Sequence, residues 1–379
     1  MLTLFSTPFY IRLKTELRVG LFMRETISDA VVGYFLDEEP ETPPAHENPS
    51  VEKEDGALIE KQPEILRVAT YNILASHLYP SQSSDERLKY LSWDFRKELI
   101  IELISQIKPE ILGLQEVSVE QYQYLRAQLT NYGIIGFAAN TGHSIEEIQE
   151  DEAVGEIIPI LYDTNRLRCL DAKVVWLSAT PNQVSIGWDA SRPRILTCAV
   201  FQDLIHNKKI VVGNTHYDHK GHDALVNSGF VEAHTLEEYR LEHQASDIIY
   251  MGDRNCFTDK DNRGNEWYRL FKKESGAKDS RLNGRHTGLK TTFIGYHPDA
   301  FKAVYRDDLH QFETSILDLI FHKGSELEVD NSKCTPAEYE VVSGRAHLLP
   351  FFGEIKNPEA RAFSSDHCCV IADLKYKKP

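Results

Sequence analysis

Long apolar runs are missing from this 379-residue chain. None approaches the roughly 20 residues that a membrane-spanning helix needs, so no transmembrane segment is expected. Paired cysteines are missing too. Cys169, Cys198, Cys256, Cys334, Cys368 and Cys369 show no CxxC spacing, which argues against a disulfide framework and for a reduced, intracellular and cytoplasmic protein. A basic surplus is absent: the formal net charge is −16. Broad, sequence-blind binding of duplex DNA needs a basic face and is therefore not expected. A bound cation can still supply positive charge locally.

The charge that is present is unevenly spread. Residues 37–64 (DEEPETPPAHENPSVEKEDGALIEKQPE) hold ten acidic residues against two lysines. With five prolines and little to bury, this stretch reads as a solvated linker. Residues 1–36 ahead of it form an N-terminal extension. Its apolar opening followed by Arg12, Lys14, Arg18 and Arg24 has some features of a targeting segment, but Glu16 and the lack of a small-residue cleavage site weigh against one. Regular patterning begins at Ile65, so residues 65–379 form the main domain, and no internal repeat is visible.

Within that domain, β-rich runs recur at 65–74, 110–117, 157–163, 172–178, 194–203, 209–218, 246–255, 291–296, 316–323 and 368–376. Between the first two, FRKELIIELISQIK (95–108) places Leu99, Ile100, Leu103, Ile104 and Ile107 on one helical face, and Pro109 stops it. Ser118 with Gln121 predicts a capping box for a helix starting at Val119. Strand, helix, strand in this order suggests a βαβ-like unit. Many strands with few long helices predict an α/β or α+β domain with more than one sheet. Residues 325–363 show no clear regular pattern and read as a long loop.

The informative feature is where polar residues fall. Asn72, Glu116 and His216 each end an apolar run, and Asp253 with Asn255 ends another at two-residue spacing, which points both the same way. Asp318 and the pair Asp366-His367 instead begin apolar runs. If the late strands run opposite to the early ones, all of these groups meet at one sheet edge, where catalytic groups tend to cluster. A single polar residue at a strand end is usually solvated or caps a turn; eight at one rim are harder to assign to chance.

The ordered set TYN, LQE, TH, GDxN, a late Asp before an apolar run, and SDH resembles the endonuclease/exonuclease/phosphatase superfamily over about residues 65–376. TYNILAS (70–76), LSWDFRKELIIELI (91–104) and ILGLQEVSVEQY (111–122) are similar to nocturnin and carbon-catabolite-repressor-type deadenylases. IPILYDTNRL, VVWLSATP, GWDASRPRI and NTHYDHKG are similar to bacterial-type members. The resemblance implies a four-layer sandwich of two facing mixed β-sheets flanked by helices, and a catalytic domain over 65–379. It implies a Mg²⁺-dependent phosphoesterase (Mn²⁺ as an alternative), most simply a phosphodiesterase acting on RNA or a nucleotide. Two other readings stay open: hydrolysis of a small phosphorylated metabolite or lipid headgroup, and a non-catalytic binding protein that keeps the fold. No protein partner is indicated.

Hydrolysis of a phosphoester needs charge neutralisation, an activated water and stabilisation of the leaving group. By resemblance and ligand chemistry, Glu116 is expected to hold the metal, with the amide oxygen of Asn72 and Asp366 beside it. Asp318 and His367 are expected to form an Asp–His pair, His216 and Asn255 to donate to phosphate oxygens, and Asp253 to orient or deprotonate water. Asp253 and His367 both remain possible bases. Arg192 and Arg194 suit phosphate contact, Asp218 and His219 are placed with them as substrate-binding candidates, and Glu156 is a further cleft candidate. His216, Asp218, His219 and His222 look superficially like a zinc set, but no Cys or distant His completes a tetrahedron. Ser364 and Ser365 read as turn formers, and Cys256 as a buried thiol. Arg254 departs from the aromatic or apolar residue usual at that place, and on the far face of its strand it must find a partner.

Overall fold

The computed structural model describes residues 62–78, 92–148, 154–256, 262–288, 291–293, 316–335, 338–342, 345–348 and 361–378. The chain divides into the units Met1–Asp55 and Gly56–Pro379, and every described residue belongs to the second. The expected extension 1–36 and nearly all of the linker 37–64 lie outside the described residues.

The elements follow in the order β1 (Ile65–Asn72), α1 (Trp93–Ile107), β2 (Ile111–Gln115), α2 (Val119–Gln128), β3 (Tyr132–Ile135), β4 (Ile160–Asp163), β5 (Leu167–Trp176), β6 (Ile195–Asp203), β7 (Lys209–His216) and α3 (His222–His243). Then come β8 (Asp247–Asp253), α4 (Asn262–Ser275), β9 (Lys278–Asp279), β10 (Arg285–Gly288), β11 (Asp318–Gly324), β12 (Leu327–Thr335), β13 (Glu338–Val342), β14 (Arg345–Leu348), β15 (Arg361–Phe363) and β16 (Cys369–Tyr376). One sheet has the order β10-β12-β16-β1-β2-β4-β3, a second β5-β6-β7-β8-β11-β9, and a small third β14-β13-β15.

Strand periodicity builds the layers. In β1, Leu66 and Val68 point to one side, where they meet Phe201, Ile210, Val212, Ile249 and Ile320 of the second sheet. Ala69 and Tyr71 point to the other side, onto Leu99, Ile100, Leu103 and Ile104 of α1 and Tyr122 and Leu125 of α2. The second sheet buries Val211, Ile248 and Tyr250 against Leu236, Trp267 and Phe271 of α3 and α4. The result is helix, sheet, sheet, helix: the four-layer sandwich expected from the sequence. The central strands β1, β2, β6, β7, β8 and β16 are buried on both faces, which is why their sequences read as continuous apolar runs.

The β1–α1–β2 unit is parallel as expected. Helix α1 ends where Lys108 takes a left-handed conformation (φ 49°) and its N–H returns to Ile104, just before Pro109. The Ser118–Gln121 capping box is present in full. Two expectations need correction. The region 325–363 is not a plain loop: it contains β12, β13, β14 and β15, and β12 pairs with β16 in the first sheet. The 22-residue helix α3 was not expected either. Its buried residues interleave Ala224, Leu225, Phe230, Val231, Leu236 and Tyr239 with Asn227, Ser228, Gly229, Glu232 and Thr235, so polar positions interrupt the apolar stripe that periodicity detects. Of the expected strand 291–296, only 291–293 are described, where Phe293 forms an isolated bridge to His367.

Candidate active site

The topology brings strand ends together. β1 runs parallel to β2 and antiparallel to β16, while β7 runs parallel to β8 and β8 antiparallel to β11. The C-terminal ends of β1, β2, β7 and β8 therefore share a rim with the starts of β11 and β16. Asn72, at the end of β1, closes the gap between the sheets: its Nδ2 donates to Glu116 Oε1 at 3.1 Å and to Asp253 Oδ2 at 3.0 Å. Its Oδ1 accepts the Leu74 N–H at 3.0 Å. This corrects the expected use of Asn72, which spends its amide nitrogen on aligning two carboxylates and its oxygen on the local turn.

Glu116 follows β2 in a left-handed conformation (φ 59°). Its Oε2 accepts the Ala75 N–H at 3.2 Å, and its own N–H donates to Glu156 Oε1 at 2.8 Å. Glu156 also binds His216 Nδ1, and its Oε2 accepts Arg194 Nη1 at 3.0 Å. Burial pushes the Glu156 carboxyl up, but His216, Arg194 and the Glu116 N–H together outweigh it and hold it below the usual range. The same contact raises His216 above an ordinary imidazole, against burial and Arg194. His216 Nε2 lies 2.8 Å from Asn255 Nδ2 and 3.5 Å from Asp253 Oδ2.

Asp253 is buried at the end of β8. Its Oδ1 accepts the Asn255 N–H at 2.9 Å, and Asn255 itself takes a left-handed conformation (φ 47°). Burial opposes its charge, but His216, His367, Asn72 and the Asn255 N–H overcome that and lower its pKa. Asp318 opens β11, and its Oδ2 lies 2.8 Å from His367 Nδ1. Burial, only partly countered by His367, pushes Asp318 up to about 6. His367 Nε2 in turn lies 3.7 Å from Asp253 Oδ2 and 3.9 Å from Asp366 Oδ1. Burial lowers the His367 imidazole, but Asp318, Asp366 and Asp253 raise it well above its ordinary value.

Several supporting residues carry no motif of their own. Arg96 of α1 donates to the carbonyls of Ile73, Leu74 and Ser364, so it ties the end of β1 to the SSDH segment. A charged residue on the otherwise apolar face of α1 was the signal for it. Ser365 donates to the Asn72 carbonyl at 2.6 Å and accepts the His367 N–H at 3.2 Å, which locks the turn that lets Asp366 and His367 both reach the rim. Thr292 Oγ1 accepts the N–H groups of Leu317 and Asp318. Asn214, two residues before His216, accepts from Gln115 Nε2 at 2.7 Å across the sheets. A Cβ on Gly113 would come within 2.6 Å of Asn214 Oδ1, so the crossing requires glycine there.

The substrate-binding candidates separate. Arg192 and His219 are exposed. Arg194 is buried, held by Glu156 and 3.8 Å from Asp218. This corrects the reading of Arg194 as a free phosphate clamp. Asp218 is corrected likewise: Oδ2 accepts from Ser191 N and Oγ, and Oδ1 from the N–H groups of Lys220 and Gly221. Both oxygens are thus used in holding the loop. The zinc-like set does not assemble, since His222 opens α3 and pairs with Glu266 at 3.5 Å.

Ligand atoms of Asp253, Asp318 and His367 lie within 4.8 Å of one another, close enough for a cation. Their hydrogen bonds argue for a different use. His367 Nδ1 is engaged by Asp318, and both Asp253 oxygens already accept bonds. A hard, strongly hydrated cation fits better at a partly exposed carboxylate. Glu116 and Asp366, both only partly buried, meet that description.

The rim thus lies at one edge of a four-layer sandwich, where the ends of β1, β2, β7 and β8 meet the starts of β11 and β16. The model of the endonuclease/exonuclease/phosphatase family matches residues 69–367, and the chain belongs to that family. An endonuclease/exonuclease/phosphatase from Bacteroides vulgatus is 27% identical, with a TM-score of 0.63 over 83% of this chain and 99% of the other. A mannosyl-6-phosphatase of Bacteroides thetaiotaomicron is 25% identical, with a TM-score of 0.64 over 82% and 99%. The human nocturnin catalytic domain, at 17% identity and a TM-score of 0.52 over 83% and 94%, shares the fold. The chain spans less than half the length of the curated relatives it matches; it covers 47% of an uncharacterized mimivirus protein that is 25% identical over 83% of this chain. No helix among the described residues is long and apolar enough to cross a membrane.

Proposed function

We propose that the protein is a divalent-metal-dependent hydrolase that uses water to cleave a phosphoester of a small phosphorylated molecule. The observation that carries this reading is the pair of hydrogen bonds that Asn72 Nδ2 donates to Glu116 and Asp253, which joins two sheets at one point. Glu116 and Asp366 are the residues that would hold Mg²⁺ or Mn²⁺, with Asn72 fixing Glu116 in place. When bound, such an ion neutralises phosphate charge and polarises the phosphoryl group.

The chain's own residues do the rest. Asp253, kept ionised by its neighbours, orients the attacking water and accepts its proton. His367, fixed by Asp318, presents Nε2 beside Asp253 and stabilises charge on the phosphoryl oxygens. Glu156 accepts the His216 Nδ1 proton, which leaves Nε2 to accept from Asn255 Nδ2, and this aligned pair lines the side of the site facing Asp253.

Likeness to a mannosyl-6-phosphatase over 99% of that chain supports the small substrate, as does the net charge of −16. RNA or a nucleotide is the second reading, favoured by the TYNILAS and ILGLQEVSVEQY blocks. A panel of p-nitrophenyl phosphate, bis-p-nitrophenyl phosphate, sugar phosphates, nucleotides and oligo(A), with Mg²⁺ or Mn²⁺ and with chelator, tests both. Sugar phosphate turnover with a shallow salt response supports the first; oligo(A) turnover with a steep salt response replaces it with the second. No metal-dependent turnover of any member refutes the hydrolase reading.

A further inference from the structure

Behind the rim, on the face turned away from the cleft, lies a charged cluster that the chemistry does not use. Arg254 and Glu232 are both wholly buried and form an ion pair between the end of β8 and α3. The Tyr217 hydroxyl donates to the same Glu232 oxygen. The Arg254 guanidinium carbon lies 5.0 Å from the Tyr217 ring centroid, 5.9 Å from Trp267 and 5.6 Å from Phe271. Gly229 lets Trp267 come this close: a Cβ there would sit 2.8 Å from the indole nitrogen.

The cluster touches the site through the backbone. Tyr217 directly follows His216, and Arg254 directly follows Asp253. The Tyr217 N–H donates to the Asp253 carbonyl at 3.0 Å, and the Tyr217 carbonyl accepts Asn255 Nδ2 at 2.9 Å. The Arg254 N–H donates to Leu317, the neighbour of Asp318, at 2.8 Å. One carboxylate on α3 thus gathers the residues next to His216, Asp253 and Asp318. Stability alone explains this poorly. Glu232 Oε1 and Arg254 Nε and Nη2 have no hydrogen-bond partner among the described residues, and a buried pair of this kind is often no more stable than apolar residues of the same volume.

We propose that Glu232, Arg254 and Tyr217 are positioning residues: they hold the ends of β7 and β8 so that His216, Asn255 and Asp253 keep the alignment that hydrolysis needs. This rests on the hydrolase reading above. The test compares Tyr217→Phe, Arg254→Met and the double variant Glu232→Leu/Arg254→Met with wild type. It measures melting temperature, kcat and KM on the best substrate of the panel, and the imidazole ¹⁵N resonances of His216 at fixed pH. Arg254→Met alone lowers the melting temperature, because it strands a buried carboxylate; the double variant recovers it. In both, kcat falls about tenfold or more with KM unchanged, and the His216 resonances move. Tyr217→Phe gives a smaller loss of kcat with the same signature. Wild-type kcat, or unmoved His216 resonances, in the folded double variant overturns the proposal. If the double variant does not fold, Tyr217→Phe decides by the same criteria. Should wild type turn over no substrate, the hydrolase reading fails, and the His216 resonances alone still decide whether the cluster aligns the rim.

Discussion

Asp318 stands directly across from Asp253 in the antiparallel β8–β11 ladder, and the two buried carboxylates share one imidazole, His367. Their environments push their pKa values apart. Burial raises Asp318 to about 6, while Asn72, Asn255 and two imidazoles keep Asp253 below its ordinary value. Such a split separates the work of two like groups: Asp253 stays charged for water, and Asp318 serves His367.

Asp318→Asn keeps the shape of the side chain and removes the charge that orients His367. The expected outcome is a kcat about 10²-fold lower with KM nearly unchanged, and an intact fold by circular dichroism. Wild-type kcat in this variant would remove the Asp318–His367 pair from the mechanism.

Glu116→Gln tests the metal assignment by a readout independent of turnover. Mg²⁺ or Mn²⁺ is expected to raise the melting temperature of wild type, since a ligand that binds only the folded state stabilises it. Chelator removes the effect along with activity. In Glu116→Gln the metal-dependent shift disappears and hydrolysis falls about 10³-fold. A full shift in the variant places the cation elsewhere.

Asp247, remote from the rim in sequence register, gives a pH prediction. Burial raises its pKa, but hydrogen bonds from His322, Ser246 and the Leu327 N–H lower it further, so the net direction is down. A lowered carboxylate contributes stability above its unfolded value of about 4 and loses it as pH falls through the folded value. Wild-type stability is therefore expected to decline below about pH 4, and Asp247→Asn to decline less over that range. At pH 7 the variant is weaker by about 1–3 kcal/mol, the scale for disturbing buried hydrogen bonds to a carboxylate. Urea unfolding at pH 7 and pH 3 checks both statements.

Gly252, in the GD pair, adopts φ 142°, and a Cβ there would collide with the Thr215 carbonyl. Gly252→Ala is expected to cost about 3 kcal/mol and to displace Asp253, so stability and kcat fall together. A stable, fully active Gly252→Ala protein would show that the β7–β8 register has slack at the rim.

The sequence by itself determined an α/β or α+β domain with more than one sheet and most of the polar residues of the rim, and its family resemblance implied the sandwich. Strands buried on both faces leave long apolar runs, the α1 stripe and the Ser118 box are local, and a polar residue ending an apolar run is visible without coordinates. Hence Asn72, Glu116, His216, Asp253, Asn255, Asp318 and His367 were legible as a set. Only the tertiary structure decided what each one touches. That Asn72 spends its nitrogen on two carboxylates, that Arg194 and Asp218 are consumed by Glu156 and by a loop, and that Glu232 reaches Arg254 depends on contacts between residues far apart in the chain. Helix α3 stayed hidden because Asn227, Ser228, Gly229, Glu232 and Thr235 interrupt its apolar inward stripe. Local pattern encodes which side of an element is buried; it does not encode which partner is waiting there, because that is set by how the layers stack.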